Sequence, residues 1–440
     1  MNISQRFRYV KNLRDSIAYT TSKIIFIYVV LGILVVSLEV QNLPDFLNAI
    51  KFSDTDAART LLATLMAGMI SLVVFSFSMV MSVLTQAGSN FSNKLVFSLM
   101  KEKRHQHVLG HYLGTILYIL FLLLVPMEGS SPDTWRSLAV YLSAAMVINS
   151  LMLFVFFIHT ASQSVQINAI TQELLRSTQA SLEKMKKRER NERFISGCCG
   201  SRNQIDYAIY SQDSGYIQSA DLDALAKISL NKGMVIHLNF SFGDFVVSNF
   251  PIFGVATKNK PDDEVNNKII SCLDYAEGES TKDHYINGFT QLMEVAVKSL
   301  SPGINDPGTA RLCIHQITEL LTQRLKITPC NMIVDSDNKC LVSWHEESFD
   351  SLLFRLFNPI LHYGKGDLSI CLSLLKAFKT LSNFANDEDK LVIQQHAERI
   401  IDIISNNYAD PLEVKFVEER LSEGVHKLDL PKNLPQRAVG

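Results

Sequence analysis

A row of small and hydroxyl-bearing side chains runs through the apolar stretch 61–84 and continues just beyond it. Its members follow alternating spacings of four and three, which place them within an arc of about 100° on one face of an α-helix. The row consists of Thr64, Gly68, Ser71, Phe75, Ser78, Ser82, Thr85 and Ser89. Every member except Phe75 is small or carries a hydroxyl group, and the opposite face is mostly Leu, Val, Met and Phe.

This hydroxyl row, as we call these eight residues, has two interpretations. Small residues let helix backbones approach closely in lipid, and hydroxyl groups can form hydrogen bonds across such an interface. Hydroxyl groups along the wall of a pore can instead replace part of the hydration shell of an ion. The row leads into the polar stretch 86–93, which would form the cytoplasmic mouth of such a pore. The sequence leaves both interpretations open.

Patterns for catalysis and metal binding are weak elsewhere in the chain. His107 and His111 have the i, i+4 spacing of helical metal ligands, but His105 lies off that face and no cysteine is near. His237 lies in a strand-like run without a neighbouring nucleophile. None of the common catalytic or nucleotide-binding motifs is present. We therefore expect no catalytic residue, metal site or cofactor, and a protein that is not an enzyme.

Four stretches are long and apolar enough to cross a bilayer as helices, since about 20 residues span its hydrocarbon core. They are residues 24–40, 61–84, 108–125 and 138–158. The N-terminus, the second loop and the region after the fourth stretch together contain sixteen Lys and Arg residues. The first and third loops together contain only three. Because positively charged flanks stay in the cytoplasm, both termini are expected there, with the protein in the cell (inner) membrane.

Composition excludes several other classes of protein. The 440 residues are 47% hydrophobic and 20% charged, which is not the composition of a disordered or collagen-like chain. All seven cysteines follow the fourth apolar stretch and none has paired spacing, so we expect reduced thiols rather than a disulfide framework.

The expected fold class is a membrane α-helical protein, with a small α+β module and a helical cytoplasmic domain after four transmembrane helices. The domains are 1–160 (membrane), 161–194 (helical extension with a basic end), 195–260 (α+β module, with a hairpin-like turn at 241–244) and 261–440 (helical). The helices of the last domain are expected at 263–277, 282–300, 307–325, 347–356, 367–384, 388–406 and 411–421. Asp306-Pro307 and Asp410-Pro411 each place a capping carboxylate before a proline at the first helical position.

The densest turn signal is the stretch 301–310, which contains Ser301, Pro302, Asn305, Asp306 and Pro307. It is either a tight corner between two apolar helices, capped by Asp306, or a contact for a ligand or another subunit. Helix starts attract anions, but Asp306 already occupies that place, which disfavours phosphate.

Three segments together resemble a known family: residues 75–115, residues 157–159 (Phe-Ile-His) and residues 296–310, which include Ser-Pro-Gly-Ile-Asn-Asp-Pro. The chain is similar, over residues 10–420, to the predicted membrane proteins grouped as domain of unknown function twenty-two fifty-four. The family tends to have Ser-Pro-Arg where this chain has Ser92-Asn93-Lys94. The resemblance implies four membrane helices with a cytosolic domain and implies no activity.

For function, we expect an oligomeric channel for ions or small solutes, gated by its cytoplasmic domain. The hydroxyl row is the reason to expect a homo-oligomer. Four helices are too few to enclose this polar face, and symmetric association with further copies would cover it. The alternative is a membrane-anchored scaffold or sensor that binds a cytosolic partner. The expected partners are the lipid bilayer, further copies of the chain and ions or small solutes, but no nucleic acid.

Overall fold

The computed structural model describes residues 17–37, 55–90, 103–124, 133–164, 167–197, 205–276 and 284–435. The chain divides into two compact units. The membrane unit consists of residues 1–89 and 93–169, and the C-terminal unit of residues 90–92 and 170–440.

Four long helices form the described part of the membrane unit. They are α1 (Ile17–Ser37), α2 (Thr55–Asn90), α3 (Lys103–Leu124) and α4 (Asp133–Ser164). Each contains a stretch that is long and apolar enough to cross a membrane: Tyr19–Ser37, Thr55–Val83, Gln106–Leu124 and Ser137–Thr160. The four spans expected from the sequence are therefore confirmed as helices of membrane-spanning length and composition.

Glycines on α3 let α1 approach closely. A Cβ atom at Gly110 would be 3.0 Å from Cβ of Ile24, so only a glycine fits there without a shift of the neighbouring side chain. Polar side chains add bonds between the helices: Thr21 Oγ1 donates to the carbonyl oxygen of Gln106 (3.1 Å), and Trp135 Nε1 on α4 donates to that of Val35 (3.0 Å). Close backbone approach and interhelical hydrogen bonds are the means by which helices associate in lipid.

Helix α2 buries one face against α3 and α4. Ala58 and Leu62 pack with Ile119 and Val140, and Met69 belongs to a second buried cluster further along α2. These apolar contacts fix the rotation of α2 about its own axis, and with it the direction of every other side chain that the helix carries.

The C-terminal unit contains two β-sheets. The strands are β1 (Phe194–Ile195), β2 (Tyr207–Tyr210), β3 (Gly215–Ala220), β4 (Val235–Leu238), β5 (Phe245–Val246), β6 (Pro251–Ala256), β7 (Leu273–Ala276), β8 (Met332–Val334) and β9 (Cys340–Ser343). One sheet has the order β1-β8-β9-β4-β6-β2 and the other β5-β3-β7. All pairs are antiparallel except β4 with β9. Buried side chains such as Ile236, Phe253 and Val342, none of them exposed, form the shared core.

Helices account for most of the rest of this unit. They are α5 (Ile167–Glu189), α6 (Leu222–Lys232), α7 (Asp263–Ser271), α8 (Tyr285–Ser299), α9 (Pro307–Arg324), α10 (Phe349–Gly364), α11 (Leu368–Ser382), α12 (Asp387–Asn407) and α13 (Pro411–Ser422). As expected, Asp306 and Asp410 cap α9 and α13, each followed by a proline in the first turn. The predicted continuation of the fourth span into the extension passes through residues 165–166, which lie outside the described residues.

Three details of the sequence analysis are wrong. The helix expected over 347–356 continues to Gly364, through Pro359, a residue type that usually ends a helix. The chain is not purely helical after residue 260, because β7, β8 and β9 lie there, and the helix expected over 263–277 ends at Ser271. The turn at 241–244 does not close a hairpin between adjacent strands, because β4 pairs with β6 and β5 joins the other sheet. Strands of two to four residues carry too little periodicity to be recognised, and, apart from the hairpin of β8 with β9, their partners are distant in the chain.

Candidate functional site

The hydroxyl row lies on an exposed face of α2, although one member, Phe75, also contacts Phe154 on α4. All seven members whose side chains are described, Thr64 to Thr85, are exposed; the side chain of Ser89 lies outside the described residues. The buried positions Leu62 and Met69 stand two residues before Thr64 and Ser71, which corresponds to about 200° around the helix. Packing within a single subunit therefore does not account for the row.

Hydroxyl groups of the row bond to their own helix. The hydroxyl groups of Thr64, Ser71, Ser78 and Thr85 each donate to the carbonyl oxygen four residues earlier, with O···O distances of 2.8, 3.1, 2.9 and 2.8 Å. These O–H groups therefore need no acceptor from another helix, while each hydroxyl oxygen retains lone pairs that can accept a hydrogen bond. Phe75 is the one bulky member; it is 59% exposed, and its ring forms a T-shaped pair with that of Phe154 on α4 (centroids 5.8 Å apart).

The motif loop, residues 301–307, forms a corner between α8 and α9. Asp306 accepts from the backbone N–H of Thr309 (3.1 Å) and from its hydroxyl group (2.6 Å), and these bonds lower the pKa of its carboxyl group. Its own N–H donates to the carbonyl oxygen of Ser299 (2.8 Å), while Asn305 adopts a positive φ of 48°. The carboxylate of Asp306 thus stabilises the corner between α8 and α9, whereas residues 302–305 lie exposed at its tip.

A polar cavity of about 290 Å³ lies within the C-terminal unit. Three separate segments build it: the turn 241–244, the first turns of α8 from His284 to Thr290, and the stretch from His345 to Arg355 that leads into α10. A capped helix starts in each of the last two segments, so two helix N-termini border the space. This size is near the lower end of the range for sites that hold small molecules.

Two carboxylates in the wall of this cavity have different partners. Glu346 accepts from the hydroxyl group of Tyr285 (2.9 Å) and from Nε1 of Trp344 (3.3 Å). Glu347 pairs through Oε1 with Nη2 of Arg355 (2.9 Å), but its Oε2 is buried and has no hydrogen-bond partner among the described residues. Burial raises the pKa of both carboxyl groups, more than the neighbouring donors and cations lower it.

His284 caps α8 and stacks between two aromatic rings. Its Nδ1 accepts from the N–H of Ile286 (3.4 Å), and its ring centroid lies 5.0 Å from that of Tyr285 and 5.6 Å from that of Phe242. Burial, together with the positive charges of Arg188 and Arg355, lowers the pKa of His284 to about 4. The imidazole is therefore neutral near pH 7, and acceptance at Nδ1 assigns the proton to Nε2.

Other histidines have structural surroundings. His237 lies in the large sheet, and its Nδ1 is 2.6 Å from the hydroxyl oxygen of Ser343 on the neighbouring strand, with both residues buried. On α3, His111 Nδ1 is 2.8 Å from the hydroxyl oxygen of Tyr28. Within the described ranges, no three His, Cys, Asp or Glu side chains are grouped so that they could hold a metal ion.

The cavity was not anticipated from the sequence. Its segments are separated by about 40 and 55 residues of chain, so no local motif joins them. The one signal in the sequence is the run His345-Glu346-Glu347, three titratable residues in a row shortly before a helix.

Comparison with known proteins matches most of the chain. The family described as "Predicted membrane protein (DUF2254)" matches residues 14–380. Among similar proteins are "Uncharacterized protein Mb1321c" of Mycobacterium bovis and "Uncharacterized protein Rv1290c" of Mycobacterium tuberculosis. Each is 20% identical over 387 residues, which cover 86% of this chain and 74% of the relative. No solved structure matches the chain significantly. The resemblance inferred from the motif loop and the spans is thereby confirmed, and the chain belongs to this family of predicted membrane proteins.

Proposed function

We propose that the protein is an oligomeric membrane channel for ions or small solutes, in which the hydroxyl row of α2 lines the path. One observation carries the proposal: the row is exposed on the face of α2 turned away from the buried positions Leu62 and Met69. The row runs along the apolar stretch on an exposed face of α2. In a symmetric assembly, copies of α2 would surround a common space at the symmetry axis, with this face turned towards it.

Bonding within the row fits this role. Four hydroxyl groups of the row, those of Thr64, Ser71, Ser78 and Thr85, donate to their own helix. Their oxygens therefore present lone pairs outward, as a wall for partly dehydrated cations requires. Phe75, the one large side chain, would form an apolar constriction near the middle of the row. The same satisfied hydroxyls could also pack between subunits without a pore, which makes the measurement of flux decisive.

The orientation of the chain is part of the proposal. The excess of Lys and Arg beside the N-terminus, in the second loop and after α4 supports cytoplasmic termini in the cell (inner) membrane. The C-terminal unit would then lie in the cytoplasm and gate the path.

The test is flux through the purified full-length protein in liposomes. Ser78→Trp places a bulky ring in the row and is expected to abolish flux. The matched control is Ile70→Trp, which adds the same ring at an exposed position of α2 about 110° from the centre of the row. Equal flux in the Ser78→Trp variant and the wild type, or a monomer by light scattering in detergent, would contradict the proposal.

An anchored sensor or scaffold is the second candidate, and the cavity of the C-terminal unit favours it. In that case the row is only a packing surface between subunits. A cytosolic partner captured through residues 260–440, together with an absence of flux from liposomes, would support this candidate over the channel.

A further inference from the structure

The cavity of the C-terminal unit presents charges of both signs. Asp244, Glu346 and Glu347 bring carboxylates to its wall, and Arg355 brings a guanidinium group. Arg188 is close enough to act on His284, since its charge helps to lower the pKa of that imidazole. A ligand for this space has to suit both a carboxylate and a cation.

Glu347 supplies the acceptor. The exposed fraction of its side chain is 12%, and its ion pair with Arg355 uses Oε1 and leaves Oε2 buried without a partner among the described residues. A buried carboxylate oxygen that lacks a donor is costly, more so than a neutral group. Its chemical complement is an N–H or O–H donor, and a positively charged donor is favoured most.

Donors are available beside this acceptor. The exposed fraction of the Arg355 side chain is 47%, and its ion pair with Glu347 engages Nη2 of a group that carries five N–H donors. The neutral His284 adds an Nε2–H, because its Nδ1 is occupied by the N–H of Ile286. These donors suit a carboxylate, for which the planar guanidinium fork is well matched.

A ligand that carries only a positive or only a negative charge would be repelled by one of the charged groups of this cavity. A simple cation would lie near Arg355 and in the field of Arg188, and a simple anion would lie near Glu347 and Asp244. Like charges brought together in a partly buried space are unfavourable. The described residues also lack a cluster of ligands for a metal ion. A molecule that carries both charges avoids each of these costs.

We infer that the cavity binds a small zwitterion of amino-acid type, with its ammonium group on Glu347 and its carboxylate on Arg355. A volume of about 290 Å³ is enough for a molecule of this size. The ring of Phe242, stacked beside His284, supplies an apolar wall for a side chain. The inference is independent of channel activity, because the site lies wholly within the C-terminal unit.

Binding can be followed with the tryptophans of the chain. The sequence contains two, Trp135 on α4 and Trp344, whose Nε1 donates to Glu346 in the cavity wall. The full-length Trp135→Phe protein in detergent is titrated with each standard L-amino acid except tryptophan, whose own emission would mask that of Trp344. At least one is expected to give a saturable change in the emission of Trp344. Ethylamine and propionate, which carry one charge each, should fail, and so should glycine betaine, a zwitterion without an N–H donor.

Variants assign the two charges. Glu347→Gln and Arg355→Gln are each expected to weaken binding at least about tenfold, since each removes a charged hydrogen bond. The matched control is Glu264→Gln on α7, which removes one member of an exposed Glu–Lys pair. If Glu347→Gln fails to fold, Arg355→Gln carries the test, because its head group is half exposed. The inference is overturned by a lack of response to every amino acid at millimolar concentration, by equal binding of ethylamine or propionate, or by unchanged affinity in Arg355→Gln.

Discussion

The ammonium group of Lys379 lies 2.8 Å from the carbonyl oxygen of Leu421, at the end of α13. The same Nζ donates to the carbonyl oxygens of Arg420 (2.7 Å) and Glu423 (2.8 Å), so all three of its protons are used. Lys379 is only 7% exposed, and burial lowers the pKa of its ammonium group. One side chain of α11 thus caps α13 and holds the segment that follows it.

Replacement of Lys379 by Met should release the segment 423–435. The substitution keeps the apolar stem but leaves three carbonyl oxygens without their donor, at a local cost of roughly 2–3 kcal/mol. Hydrogen exchange in this segment should become faster while α8 and α9 stay protected. Lys376→Met, an exposed position on the same helix, is the control. Unchanged exchange at 423–435 would show that the three bonds do not hold the segment.

Gly114 on α3 should not tolerate even a methyl group. A Cβ atom there would lie 2.6 Å from Cγ of the Tyr28 ring on α1, so Gly114→Ala must push the two helices apart. Overpacking of this kind costs about 1–3 kcal/mol. Trp135 reports on it, because its Nε1 is bonded to Val35 of α1. In a Trp344→Phe background, Gly114→Ala should lower the melting temperature followed by Trp135 emission.

The control for that experiment is Gly68→Ala on α2. Nothing lies within 4 Å of a Cβ atom built at Gly68, so the subunit itself has room for the methyl group. Equal melting temperatures for Gly114→Ala and the wild type would mean that α1 and α3 pack less closely than described.

The sequence predicted those parts of the fold that local physics controls. Apolar length identified the four membrane-spanning helices that the structure describes, and the Asp-Pro pairs located the starts of α9 and α13 correctly. Strands β8 and β9 were not predicted, because each has only three or four residues and their hairpin joins the large sheet through β4, about 100 residues earlier in the chain. Contacts of that kind leave no periodic signal near the strand itself.

In the candidate sites, too, the sequence predicted what depends on local spacing but not what depends on packing between distant segments. Helical spacing predicted that the hydroxyl row shares one face of α2, but only the packing of Leu62 and Met69 reveals that this face is exposed. The pairing of Glu347 with Arg355 and the burial of His284 arise from the meeting of three distant segments. Neither follows from residue type or spacing.

Loss of the Asp306 carboxylate should destabilise the corner between α8 and α9. Asp306→Ala removes the cap and the bond from the Thr309 hydroxyl group, for an expected loss of about 1–2 kcal/mol. Asp306→Asn keeps an acceptor for the N–H of Thr309 and should retain most of the stability. The measurement is chemical unfolding followed by Trp344 in the Trp135→Phe background. Equal stability of the Ala variant and the wild type would remove the structural role assigned to Asp306.

The pH dependence of the C-terminal unit contains opposing contributions from one cavity. The pKa of His284 falls to about 4 on folding, so the unfolded chain binds more protons at this position between about pH 6.5 and 4. Its contribution to stability is therefore full above pH 6.5 and is lost as the pH falls through that window. The raised pKa of Glu346 has the opposite sign: folding favours its protonated form, so its contribution declines as the pH rises above 4.5.

His284→Asn separates these contributions. Asparagine provides an acceptor for the N–H of Ile286 at the start of α8 but has no proton to gain in this range. The free energy of unfolding of the wild type should fall by up to about 3 kcal/mol more than that of the variant between pH 7 and 4. Chemical unfolding at a series of pH values, read from Trp344 in the Trp135→Phe background, measures the difference. The exposed His362→Asn is the control and should keep the wild-type profile. Parallel profiles for His284→Asn and the wild type would mean that His284 is protonated as readily in the folded unit as in the unfolded chain.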